Sequence, residues 1–203
     1  MSKIIAFSGG CFSGKTTAIE TVKANFINSS LDCIHISELI RDLNIVSIDE
    51  LRKNANDYFD VQIQIITEKI NQECAAADFP GIVLVDRAIG DSLYYLLYHV
   101  KYDALDNSRK LKYLDFVNFV HNHAQFAYRF LYTCVAFFKP LEKVCLDNVY
   151  RPENINITKH IESKCIDIIN LAYCDSFKYL SFDLNTEDVN GVHNILINYL
   201  QWD

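Results

Sequence analysis

The sequence predicts an α/β fold, a three-layer sandwich in which helices cover both faces of a parallel, five-stranded sheet. Two observations carry this. Short apolar runs alternate along the chain with longer stretches whose apolar residues recur at helical spacing. The first of those runs, Lys3–Ser8, also leads through a glycine-rich loop directly into a helix. At 203 residues and 50% hydrophobic, the chain is long enough to bury a full core, and residues 1–203 read as one domain.

The elements follow in order. After the strand Lys3–Ser8 and its loop, residues 16–27 read as a helix and 32–36 as a second strand. Ser37 caps a helix carrying Glu38, Arg41 and Asp42. Ser47 and Glu50 form a capping box at the head of a long helix, with Leu51, Ala55, Phe59, Ile63, Ile66, Ile70 and Cys74 at helical spacing. Pro80-Gly81 breaks the chain before Ile82–Asp86, an apolar run suited to a strand covered on both faces. Helices are predicted at 91–100 and 110–130, a strand at 131–138 that stops before Pro140, and a helix at 157–173. A last strand at 177–182 and a closing helix at 189–200 complete the sheet.

The loop Gly9-Gly10-Cys11-Phe12-Ser13-Gly14-Lys15-Thr16-Thr17 fits G-x-x-x-x-G-K-[ST] at every fixed position. A phosphate tail needs backbone N–H groups converging on it, so the loop must turn tightly without β-carbons in the way. Gly9 and Gly14 supply that freedom, and the following helix adds the positive end of its dipole. Of the 6 glycines in the chain, three stand in this loop, which favours a built cradle over a simple turn. Gly9, Gly10, Ser13, Gly14, Lys15, Thr16 and Thr17 are thus the candidate nucleotide-binding residues. Lys15 would reach the β- and γ-phosphates and the Thr16 hydroxyl would ligate Mg²⁺.

In a parallel sheet, ligands gather at the carboxyl ends of the strands. Asp86-Arg87 closes the third strand: the carboxylate is placed to hold a Mg²⁺-bound water or take a substrate proton, and the guanidinium to clamp phosphate oxygens. A salt bridge at the sheet edge is the plainer alternative. After the second strand, Glu38 and Arg41 fall one turn apart, either as a solvated ion pair or as groups for an acceptor's hydroxyl and anionic parts. Tyr58 and Gln62 share a helix face, so Gln62 could read the edge of a base while Tyr58 or Phe59 packs on its ring. Arg151 stands in a polar segment, where a lid spanning about 140–156 could bring positive charge onto a transferring phosphoryl group.

With 19 basic against 26 acidic residues, the net charge of −7 disfavours indiscriminate duplex DNA binding. The seven cysteines show no C-x-x-C pair and read as reduced thiols, which points to the cytoplasm. Cys11 is filler at a variable loop position or a redox-sensitive thiol. The six histidines have no metal spacing and read as structural. No apolar run approaches membrane-spanning length, and the N-terminus enters a strand directly without a leader pattern.

Taken together, the phosphate loop, Glu38-x-x-Arg41, Asp86-Arg87 with Asp91, and Val149-Tyr150-Arg151 resemble the P-loop nucleoside and nucleotide kinases. The nearest branches are the thymidylate-kinase-like enzymes and the ribosylnicotinamide kinase domain of the bifunctional nicotinamide-mononucleotide adenylyltransferase/ribosylnicotinamide kinase. The resemblance runs over roughly residues 3–160. It implies a P-loop NTPase/nucleotide kinase sheet and an ATP- and Mg²⁺-dependent phosphotransferase. Its acceptor would be a nucleoside, a nucleotide or a nucleobase-type group, including 5-hydroxymethyluracil within viral DNA. By the same resemblance Lys15, Asp86, Arg87 and Arg151 are catalytic, Thr16 and Asp86 hold the metal, and Glu38, Arg41, Tyr58, Gln62 and Asp91 face the acceptor. A monomer or homodimer, without a membrane partner, is expected. The alternative is a P-loop ATPase or switch without an acceptor. The chain lacks both a strand ending in Asp-Glu and the N-K-x-D guanine-reading motif that such proteins carry.

Overall fold

Five parallel strands form the sheet, in the order β2-β3-β1-β4-β5. The computed structural model describes residues 2–41, 48–142, 155–174 and 179–201. The strands are β1 (Lys3–Ser8), β2 (Cys33–Ile36), β3 (Ile82–Asp86), β4 (Cys134–Phe138) and β5 (Tyr179–Phe182). The helices are α1 (Lys15–Asn28), α2 (Ile48–Lys53), α3 (Ala55–Ala76), α4 (Ile89–His99), α5 (Asn107–Phe126), α6 (Ile155–Cys174) and α7 (Val189–Gln201).

β1 is central because it is apolar on both faces, and the period of two sends its side chains into two separate cores. Ile4 and Ala6 point into a cluster built with α3, α4 and α5, where Phe59, Ile66, Leu96 and Val120 are fully buried. Ile5 and Phe7 point the other way, onto Ala18, Ile19, Val22 and Phe26 of α1 and Val192 and Leu196 of α7. β3 divides likewise, with Val83 and Val85 on the first face and Ile82 and Leu84 on the second. Burial of each such large side chain contributes about 1.5–3 kcal/mol.

Register fixes where the chemistry falls. β1 and β3 run level, Phe7 opposite Asp86, while Ser8 lies opposite Phe137 of β4. The loop that leaves β1 therefore emerges beside the end of β3, next to Asp86-Arg87.

Three local expectations are corrected. The long helix expected from Ser47 is broken: Asn54 adopts an extended conformation (φ −104°, ψ 104°) and its side-chain oxygen accepts from the N–H groups of Asn56 and Asp57. A short polar side chain that can bond the backbone ahead of it starts a helix better than it continues one. Ser47 itself lies outside the described residues. The helix expected after Ser37 is a single 3-10 turn, Leu39–Arg41. The helix expected at 110–130 begins at Asn107 on an Asp106 cap and finishes in a π-turn, Ala127–Leu131, which delays β4 to Cys134. Tyr132 N–H bonds back to the Ala127 carbonyl at 2.8 Å, and the Tyr132 ring is buried instead of continuing a strand. Of the expected lid at 140–156, residues 143–154 lie outside the described residues, Arg151 among them. None of the described helices is long and apolar enough to cross a membrane.

Candidate active site

The loop between β1 and α1 is held open by backbone geometry that side chains rarely tolerate. Gly9 has φ 136° and Gly14, the residue before α1, has φ 81°. A β-carbon at Gly9 would lie 2.3 Å from the Phe138 carbonyl oxygen, so glycine there is required by β4 as well as by the turn. Lys15 folds back under the loop, its Nζ donating to the carbonyls of Gly9 and Gly10, each at 2.8 Å, and to Ser13 Oγ at 3.0 Å. Burial, and then the neighbouring Arg87 charge, lower the Lys15 pKa, with Asp86 and Asp91 working against them. An anion arriving at the loop would relieve that penalty by giving the ammonium a counter-charge.

Asp86 is 2% exposed at the end of β3, and Thr16 Oγ1 donates toward its Oδ2 at 3.5 Å. A hydroxyl and a carboxylate side by side at a phosphate loop are hard oxygen donors of the kind Mg²⁺ takes, so these two residues fit the ion. Beside them Arg87 has φ 71°, the left-handed region, and its side chain turns into the cleft. Its Nε donates to Glu38 Oε1, and its guanidinium lies 4.8 Å over the Tyr95 ring. Burial opposes the Arg87 charge, but Glu38, Tyr95 and their neighbours hold its pKa well above the ordinary range.

These groups line one cavity of about 410 Å³, which also takes in Ser13, Gly14, Thr17, Ile40, Arg52, Tyr58, Gln62, Ile65, Lys69, Ser92, Tyr95 and Glu162. Four cationic side chains face it against three acidic ones, in a chain that is otherwise acidic. Such a reversal of sign suits an anionic ligand.

No family model and no curated protein matches the sequence. Solved structures do match the fold. Deoxyadenosine kinase from M. mycoides with bound dATP is 16% identical, with TM-score 0.64 over 98% of this chain and 99% of that one. The same enzyme with products dCMP and dCDP is 15% identical, with TM-score 0.63 over 98% of this chain and all of that one. NadR protein in complex with NR is 17% identical, with TM-score 0.66 over 95% of this chain and 51% of that one. The chain has the fold of the P-loop nucleoside kinases. The resemblance read from the loop and the strand ends is thus matched by the architecture that carries them.

Within that kinase fold, the expected residues divide. Ser13, Gly14, Lys15, Thr16, Thr17, Glu38, Tyr58, Gln62, Asp86 and Arg87 come together at the cavity, with Gly9 and Gly10 directly behind it. Tyr58 and Gln62 are 1% and 4% exposed, and Gln62 makes no hydrogen bond among the described residues. Burial pushes the Tyr58 hydroxyl up to about 12 against the opposing Arg52 charge, so it stays a neutral phenol. Phe59, the alternative ring, faces the core instead and packs on Tyr113 and Phe116.

Two assignments change. Asp91 does not line the cavity: it is fully buried behind the loop, where Ser8 Oγ donates to it at 2.6 Å and Gly9 N–H at 3.4 Å. Burial raises its pKa, offset by Arg87 and Lys15, and its work is to hold the loop. Glu38 does not share a helix face with Arg41, since that segment is one short turn; Glu38 pairs with Arg87. Arg41 closes that turn, and its side chain lies outside the described residues.

Four lining residues carried no signal in the sequence. Arg52, Lys69, Tyr95 and Glu162 stand in ordinary helical patterns, away from any strand end. Glu162 arrives because α6 packs on the loop so closely that a β-carbon at Gly10 would sit 3.3 Å from Ser163 N. It is 1% exposed, accepts from Tyr95 Oη at 3.3 Å and pairs with His99 Nε2 at 3.4 Å. Burial would raise its pKa, but His99, Cys11 and Arg87 outweigh that and hold the carboxyl below its usual range. His99 also meets Arg52 at 3.1 Å, so it braces two of the side chains that line the cavity from behind.

Proposed function

We propose that this chain is an ATP-dependent kinase that transfers the γ-phosphate to a hydroxyl or phosphate of a nucleoside- or nucleotide-type acceptor. The observation that carries this reading is the meeting, in one cavity, of a phosphate loop with the Arg87–Glu38 pair and an unbonded, buried Gln62. An ATPase needs the first of these and has no use for a buried amide beside a neutral phenol.

The loop N–H groups and Lys15 take the ATP phosphates, and Lys15 exchanges the Gly9 and Gly10 carbonyls for phosphate oxygens. Thr16 and Asp86 would hold Mg²⁺, which would supply neutralisation of phosphate charge. Arg87 swings from Glu38 toward the transferring phosphoryl group, and Glu38 is released to accept the acceptor's proton. Asp86, which lines the same cavity, is the alternative base. Gln62 donates and accepts at the edge of the base, with Tyr58 along the same wall. Little covalent work is asked of the protein, since phosphoryl transfer depends on positioning and charge neutralisation.

The test is incubation with labelled ATP and a panel of nucleosides, nucleoside monophosphates and hydroxymethylated DNA. Label should appear in one class of acceptor. Steady release of inorganic phosphate that no acceptor accelerates would replace this reading with a hydrolase.

A further inference from the structure

The kinase reading leaves a buried polar network beneath Asp86-Arg87 without a task. Glu73 on α3 is fully buried and pairs with Lys69, one turn earlier, at 3.0 Å. Lys69 Nζ also donates to the backbone carbonyl of Asp86 at 3.2 Å. On its other oxygen Glu73 accepts from Tyr132 Oη at 2.8 Å, and Tyr132 Oη in turn accepts the N–H of Ile89 at 3.0 Å. The two backbone contacts flank Arg87-Ala88, and the φ of Arg87, 71°, is the left-handed conformation.

The pieces explain one another. A branched-free but β-carbon-bearing residue in the left-handed region persists only where its surroundings over-determine it. Ala88 precedes α4 without a side-chain cap, so the N–H of Ile89 has no partner from its own helix end. Tyr132 supplies that partner from across the core. Burial and the Glu73 carboxylate keep Tyr132 far above the ordinary phenol range, so its proton stays on Glu73's side while its lone pair faces Ile89. A buried ion pair is weak as a source of stability, and holding a defined geometry is a better account of Lys69–Glu73.

We infer that Lys69, Glu73 and Tyr132 are positioning residues that clamp the backbone on either side of Arg87, and thereby aim its guanidinium and the Asp86 carboxylate into the cavity. This rests on the reading of Arg87 as the phosphate clamp. Glu73 and Tyr132 touch the reacting groups only through backbone, and Lys69, whose side chain also lines the cavity, bonds the Asp86 carbonyl. Loss of the Tyr132 or Glu73 contacts should therefore misplace those groups without removing them. A misplacement of about 1 Å can cost about 10²-fold in rate.

The experiment is a double-mutant cycle with a crystal structure. Tyr132→Phe keeps the buried ring and deletes the hydroxyl; its kcat for acceptor phosphorylation should fall by about ten- to a hundredfold, with KM for Mg-ATP within about twofold of wild type. In an Arg87→Ala background the same change should cost much less in kcat, because only the Asp86 carboxylate remains to be aimed. An equal loss in both backgrounds would show a general structural role and overturn the inference. If Tyr132→Phe does not fold, Glu73→Gln, which keeps the shape of the side chain and does not touch the cavity, enters the cycle in its place with the same expected outcomes. The crystal structure of the variant is the arm that needs no activity: residue 87 should leave the left-handed region, and a φ still near +70° would overturn the inference whatever the kinetics. If the wild-type protein phosphorylates no acceptor, the kinase reading falls, and the structural arm still decides the clamp.

Discussion

Replacing Gln62 by leucine probes acceptor recognition with little damage to the fold. The side chain is 4% exposed on α3, lines the cavity and has no hydrogen-bond partner among the described residues. An apolar residue of similar size therefore removes no internal bond, and the melting temperature should hold or rise slightly. The cost should appear only when an acceptor binds, because the polar edge of its base then meets a methyl group instead of an amide. An unpaired buried polar group costs about 1–3 kcal/mol, which is about 5–150-fold in affinity. Steady-state kinetics over adenine, guanine, cytosine and thymine nucleosides should show KM for the preferred acceptor rising by that factor. Preference among bases should flatten, while KM for ATP, assigned to the loop, stays unchanged. Identical acceptor kinetics in mutant and wild type would refute the base-reading argument.

Two further outcomes follow from the same structure. Asn54→Ala should destabilise the chain by about 0.5–2 kcal/mol in urea unfolding, because the Asn56 and Asp57 N–H groups lose their cap; an unchanged midpoint would mean the break between α2 and α3 is set by something else. Stability should rise with pH over the range below about 6.5, since burial lowers the pKa values of His99, His123 and His193 and the unfolded chain therefore binds more protons there. The depressed Glu162 carboxyl acts in the same direction at lower pH, and His99→Gln should give a shallower profile in thermal melts at pH 5 to 7.

What was legible in the sequence, and what was not, follows from the range of the interactions. β1 and β3 announce themselves because strands covered on both faces must be apolar throughout, and the loop because glycines, lysine and threonine are demanded at fixed spacing. Asp86 and Arg87 were found by position at a strand end. Asn54 was missed because seven apolar residues in helical phase run across it, and one capping amide outweighs that periodicity locally. Asp91 was assigned to the acceptor only through the family resemblance; that α4 turns it inward under Ser8 and Gly9 depends on how the helix is docked. Glu162 and Tyr95 could not be found at all, since each is an unremarkable helical residue until α6 and α4 meet over the loop. Lys69 and Glu73 gave no signal, because an i,i+4 pair becomes internal only through contacts distant in sequence, here with the Asp86 carbonyl and Tyr132.

The central claim is that bound ATP waits for an acceptor, and the most direct measurement is transfer of labelled γ-phosphate with and without the acceptor panel, for wild type and Lys15→Ala. Lys15 bonds only groups of its own loop, Gly9, Gly10 and Ser13, so the variant should keep the fold, as a thermal melt would check. Wild-type protein should be nearly idle with ATP alone and active with one acceptor class. Lys15→Ala should lose about 10²–10³-fold or more of that rate, the size expected when a donor to transition-state charge is removed. Near-normal transfer by Lys15→Ala, or ATP turnover by the wild type that ignores every acceptor, would contradict the account.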